Sequence, residues 1–125
     1  MSQRMIGILV GLLFIGFSSL TYAGAVKKSV EAVHVEMKQL SGKQVEVRGK
    51  VVKVNNGIMK RNFLHIQDGT GKQGTNDLIV TSDQTAKVDD EVTITGTVAL
   101  DTDFGFGYKY PLLVEKSNIK NHTKK

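Results

Sequence analysis

The spacing of apolar residues changes twice along the chain, and each change marks a new element. Residues 5–20 form an apolar run behind Arg4, interrupted only by Ser18 and Ser19, with small residues around Ala23 and Ala25. This is the pattern of a secretory signal peptide over residues 1–23, with cleavage after Ala23 or Ala25. The run is shorter than the roughly 20 residues a membrane-spanning helix needs, so no stable membrane insertion is expected after cleavage. Val26, Val30, Val33, Met37 and Leu40 then recur at spacings of three and four. They predict an amphipathic helix within residues 26–41, running from about Lys27 to Leu40 and stopped by Ser41-Gly42, whose stripe covers one open end of a barrel built from the rest of the chain.

From Gly42 the period becomes two. Val45, Val47 and Val51 share one parity, whereas Val52 and Val54 share the other. One extra residue between Gly49 and Val52 therefore predicts a β-bulge in a long, bent first strand, because an uncorrected slip would turn every later side chain to the wrong face. In the second strand Leu64 and Ile66 point inward, so Phe63, His65 and Gln67 point outward. Asp68-Gly69-Thr70-Gly71 is a turn, and Leu78 to Thr81 a short third strand. Val92, Ile94, Val98 and Leu100 alternate along a fourth strand bent at Gly96. Leu112 and Val114 belong to a fifth, with Tyr110 in the core and Pro111 at an edge. Five strands with glycine-marked bends predict an all-β fold: a five-stranded OB-fold barrel over residues 42–119, preceded by one short amphipathic helix and followed by a basic tail, 120–125.

Composition narrows the chemistry. With no cysteine among its 125 residues, the chain has no disulfide, thiol catalyst, thiolate metal site or c-type haem attachment. The net charge of +5 is unevenly spread. Residues 42–72 hold seven basic residues against two acidic, and residues 73–115 hold two against eight. The surface therefore carries a local basic patch and is not uniformly cationic.

The segment Val51-Val-Lys-Val-Asn-Asn-Gly-Ile-Met-Lys-Arg-Asn-Phe-Leu-His-Ile-Gln-Asp-Gly-Thr-Gly71 resembles a family of exported bacterial OB-fold proteins, the NrfJ-like group. The likeness continues through Val92-Thr-Ile-Thr-Gly-Thr-Val98 and Thr102-Asp-Phe-Gly-Phe-Gly-Tyr-Lys-Tyr110 and covers roughly residues 40–115. More distantly, Leu64-His-Ile-Gln-Asp-Gly-Thr-Gly71 resembles the strand and turn of anticodon-binding OB domains. The resemblance implies the fold and export. It also implies a nucleotide- or DNA-binding role, by analogy of fold alone.

Two groups of residues are candidates for a site. The first is the outward face of strands one and two with their connecting loop: Arg48, Lys50, Lys53, Lys60, Arg61, Phe63 and His65. Cations beside an exposed ring suit a single-stranded nucleic acid, with phosphates on Lys and Arg and a base on the aromatic. The same residues also make an ordinary solvated face whose lysines discourage edge pairing. The second group is Phe104, Phe106, Tyr108 and Tyr110, alternating in one hairpin. It reads equally as a stacking platform, with Phe104 the exposed ring, or as a barrel plug. His65 has no second histidine or acid at ligand spacing, and no metal or cofactor site is expected. Nothing assembles a nucleophile with a base, so no catalytic residue is assigned.

The expected protein is exported, periplasmic or secreted, and not an enzyme. It binds a single-stranded nucleic acid or other oligoanion through its basic and aromatic face. The alternative is a periplasmic protein-interaction or assembly module for an exported redox or cytochrome system, which the resemblance implies. Its anchors are Ile58 and Met59 beside Lys60 and Arg61.

Overall fold

The computed structural model describes residues 24–123, so the expected signal peptide of residues 1–23 lies outside the described residues. The elements are β1 (Val26–Lys27), α1 (Val30–Val35), α2 (Met37–Leu40), β2 (Gln44–Ile58), β3 (Arg61–Gln67), β4 (Leu78–Ser82), β5 (Glu91–Asp103) and β6 (Lys109–Asn121). Five long strands close in the order β2-β3-β4-β6-β5 and back to β2. The fold is all-β, an OB-like barrel. The two-residue strand β1 adds a sixth, parallel to β2 at Val45 and Glu46.

The bend in β2 is what closes the barrel. Residues 44–50 pair with β5, and residues 50–58 pair with β3. Between Val51 and Lys53 the register shifts, leaving Val52 as the extra residue that the alternation predicts. Gly49 sits at the changeover, where a β-carbon would meet the Gln67 carbonyl oxygen at 2.6 Å. Val45, Val47, Val51, Leu64, Ile66, Val80, Val92 and Ile94 fill the interior with almost no exposure.

The helical segment departs from expectation. Val26 and Lys27 are taken up by β1, and Val26 is half exposed instead of belonging to the apolar stripe. The helix starts at Ser29, whose hydroxyl accepts the Ala32 N–H, and it is broken at Glu36. The three β-branched residues Val30, Val33 and Val35 give the first part little intrinsic helical preference. Packing supplies the rest, since Val30, Val33 and Leu40 join the barrel core and so cover one end of it. Gly42, at φ +80°, ends the segment.

Two further strands run longer than expected. β5 and β6 pair from Val92↔Asn121 to Asp103↔Lys109, so Lys120 and Asn121 belong to the barrel and not to a tail. β6 also pairs with β4 at Val80↔Val114, so only its first residues, around the exposed Pro111, lie at an edge.

Candidate functional site

The connection between β2 and β3 is a two-residue turn, Met59-Lys60, with φ of 50° and 65°. Positive φ at both positions is the type I′ geometry that matches strand twist, here adopted without Gly or Asn. The turn projects Lys60 into solvent and delivers Arg61 to the first position of β3. Ile58 and Met59 are half-buried, too covered to serve as a prominent anchor.

Next to this turn stands the β5–β6 connection, residues 104–108. Asp103 Oδ1 accepts the Gly105 N–H at 2.8 Å, and Phe104 N–H donates to the Tyr108 carbonyl at 2.8 Å. This closes a tight loop with Phe106 at its tip, 95% exposed and at φ +56°. Phe104 folds back instead of projecting, which reverses the expectation that it would be the exposed ring.

Phe63 does point away from the core, yet it is buried, at 3% exposure, and corrects the reading of it as an open stacking surface. Phe104 and Tyr110 lie over it, with ring centroids 5.7 and 5.5 Å away, and 5.9 Å separates those two from each other. Edge-to-face and tilted contacts of this kind suit the ring quadrupoles. The Arg61 guanidinium carbon stands 4.6 Å from the Phe104 centroid. The rings therefore neither plug the barrel nor lie open; they cover the outer face of β3 and support a cation.

Beside this stack runs a groove of about 610 Å³, walled by Lys60, Arg61 and Phe104 on one side and by residues 81–84 and 115–118 on the other. Sequence reasoning missed the second wall. Thr81, Asp83, Glu115 and Lys116 come together because β4 and β6 are neighbours across a parallel pairing, and no local pattern announces that. Glu115 and Lys116 sit at a bulge of β6, where Lys116 takes φ +53° opposite Gly96.

The remaining basic residues are placed elsewhere. Lys50 pairs with Gln67 at one end of the β2–β3 hairpin, whereas Arg61 is at the other end. Six residues of strand put these ends about 20 Å apart. Arg48 and Lys50 border a second groove of about 550 Å³ with Asp68 and Glu91, and Arg48 Nε is 3.2 Å from Glu91 Oε2. That ion pair is exposed and contributes little to stability. Lys53 lies midway and exposed, across from His65. The predicted single stripe is thus two basic ends joined by one lysine.

His65 is not without an acidic partner. Its Nδ1 is 2.6 Å from Asp77 Oδ2, while Gln67 Nε2 donates to Asp77 Oδ1 at 3.1 Å. The Asp77 backbone carbonyl lies 2.7 Å from His34 Nε2, so one residue links barrel face and helix. Among the described residues no three His, Cys, Asp or Glu converge as a metal site would require.

No known protein family matches this chain, and no curated protein does. Solved structures share its fold. The crystal structure of a "putative aspartyl-tRNA synthetase from Leishmania major Friedlin" superposes with a TM-score of 0.57 at 14% identity, over 87% of this chain and 23% of that one. This chain thus corresponds to under a quarter of that protein's length. An OBody, AM3L09, bound to hen egg-white lysozyme superposes with a TM-score of 0.51 at 18% identity, over 70% of this chain and 88% of the OBody. At these identities the likeness is one of fold.

Proposed function

We propose that this chain is an exported, non-catalytic barrel that binds single-stranded nucleic acid or another oligoanion in the groove that runs beside the β2–β3 turn and the β5–β6 loop. One observation carries the reading. Lys60 and Lys116 open on that groove without any ion-pair or hydrogen-bond partner among the described residues, next to Arg61 held against Phe104. Uncommitted cations beside a ring-backed guanidinium suit phosphates and stacked bases. OB barrels bind oligonucleotides between these same two loops, and the resemblance at residues 51–71 supports export.

The test is titration of a labelled single-stranded 12-mer over a salt series. Binding should weaken steeply with salt, and Lys60→Ala and Lys116→Ala should each lower the slope by about one. Absence of binding at about 20 mM salt would exclude this function.

A second reading has its own observation. Phe106, almost fully exposed at the tip of a hydrogen-bonded loop beside the partly exposed Tyr108, is the form of a protein-docking anchor. The OBody bound to lysozyme is a barrel of this shape that holds a protein. On this reading the chain is an interaction module for exported proteins, with Phe106 in place of Ile58 and Met59 as anchor. Crosslinked recovery of partners from the exported fraction should then fail for Phe106→Ser and survive Ile58→Ser.

A further inference from the structure

The β5–β6 ladder has one weak rung near its tip. Between the pairs Leu100↔Leu112 and Thr102↔Tyr110 lie Asp101, at φ +48°, and Pro111. Proline has no N–H to give the ladder, and a left-handed residue turns a strand out of its extended course. Residues 102–110, beyond this rung, therefore form an arm with a hinge at its base.

Rings alone fasten the arm to the rest of the barrel. Its hydrogen bonds outside the ladder are internal, such as Gly105 N–H to Asp103 Oδ1 and Tyr108 N–H to the Gly105 carbonyl at 2.9 Å. Among the described residues, no hydrogen bond or ion pair leads from residues 102–110 to any element other than β5 and β6. A cleft of about 380 Å³ at the hinge is lined by residues 101–103 and 109–111 alone, so no other element braces that side. What holds the arm down is Phe104 and Tyr110 against Phe63, and Phe104 against Arg61.

The arm covers a surface suited to the proposed ligand. Phe63 points outward from β3 beneath Phe104 and Tyr110, and Thr81, its partner in the β3–β4 ladder, lines the groove beside Lys60 and Arg61. Moving Phe104 off Phe63 therefore extends the groove over the Phe63 ring, with Arg61 at its edge. A nucleobase would meet a flat ring beside a guanidinium, the groups that hold unpaired bases and their phosphates. In the free protein Phe104 takes that place, an aromatic ring on Phe63 with a cation against it.

We propose that residues 102–110 are a hinged lid, that Phe104 is its built-in stand-in for a base, and that an oligonucleotide binds by displacing Phe104 from Phe63. The proposal rests on the oligonucleotide-binding reading and adds a closed state to it. One ring replaces another, so the closed arm lowers affinity without abolishing it.

A site open about a tenth to a fifth of the time binds about five- to tenfold more weakly than one always open. Phe104→Ala should therefore tighten binding of a labelled single-stranded 12-mer by about that factor. Adding Phe63→Leu to Phe104→Ala keeps apolar volume, removes the stacking ring and should cancel the gain. In wild type, nuclear Overhauser contacts between the Phe63 and Phe104 rings should vanish at saturation with the 12-mer, replaced by contacts from Phe63 to base protons. That measurement needs no substitution and decides the matter where a variant fails to fold. Ring contacts that persist at saturation overturn the lid. So does a folded Phe104→Ala variant that binds no more tightly than wild type, or a gain that survives Phe63→Leu; all three leave oligonucleotide binding standing. Failure of wild type and Phe104→Ala alike to bind at about 20 mM salt overturns both.

Discussion

The backbone N–H of Val30 donates to Oδ2 of Asp68 at 2.9 Å, which ties the first turn of α1 to the loop that follows β3. Two neighbouring N–H groups of that turn are also satisfied, Glu31 by the Thr70 hydroxyl and Ala32 by the Ser29 hydroxyl. Burial alone would raise the Asp68 pKa. Hydrogen bonds from the Thr70 hydroxyl and from the Val30 and Thr70 N–H groups outweigh it and hold the carboxyl below its ordinary value.

Asp68→Ala should therefore lower stability by about 1–2 kcal/mol in urea unfolding at neutral pH, the range for a lost helix cap. The pH dependence has a defined sign. A folded-state pKa below the unfolded value of about 3.9 gives stabilisation that is complete above that value. It is lost as pH falls through the lower folded value. The difference between wild type and Asp68→Ala should shrink below about pH 4. A gap that stays constant on acidification would show that the Asp68 charge does not contribute.

Gly49 and Gly96 are positions where two strands approach too closely for a side chain. A β-carbon on Gly96 would meet the Glu115 carbonyl oxygen and Val114 Cγ1, each at 2.8 Å, as well as Ser117 Oγ. Gly49→Ala and Gly96→Ala should each destabilise by about 1–3 kcal/mol, as overpacking does. Gly57→Ala tests the contrast: its β-carbon has open space, but its φ of +74° leaves a backbone cost of about 1 kcal/mol. Thermal unfolding of the three variants should separate the sites.

The aromatic residues divide into rings that hold structure and one that does not. Phe63→Ala removes the buried base of the stack and should cost about 3–4 kcal/mol. Phe106→Gly removes an exposed ring from a left-handed backbone position and should leave stability unchanged or raise it by up to about 1 kcal/mol. A large loss for Phe106→Gly in denaturant unfolding would mean that the loop tip packs against the barrel.

The two basic ends of the β2–β3 hairpin should behave differently toward ligand length. Arg48→Ala with Lys50→Ala should leave a trinucleotide's affinity within about twofold, because such a ligand fits the groove at Lys60 and Arg61. The same pair should weaken a 12-mer several-fold, since each lost phosphate contact reduces the counterion-release term. Fluorescence anisotropy with both lengths decides it. Equal loss for both would place the ligand at the Arg48 end.

Much of the barrel was legible because alternation is a local steric property. Val45, Val47 and Val51 could share a face only if β2 ran straight, and the switch to Val54 required the extra residue found at Val52. The candidate site was half legible. Lys60, Arg61 and Phe104 meet in the groove, but the outward parity of Phe63 said nothing about whether another segment would cover it. The helix was partly misread because its Val-rich sequence satisfies both a helical stripe and, at Val26, a strand pairing.

What the sequence by itself determined is the side of each strand that faces the core, the bulge in β2, the turns, and the concentration of cations in residues 42–72. Period and parity arise from backbone sterics acting over two or three residues, so they can be read without knowing any neighbour. Only the tertiary structure decided which outward residues meet. The parallel pairing of β4 with β6 brings Thr81 to Glu115, the β5–β6 loop lays Phe104 over Phe63, and Asp77 reaches His65 from twelve residues away. These contacts depend on strand order, register and loop closure across the whole barrel, and no local periodicity encodes them.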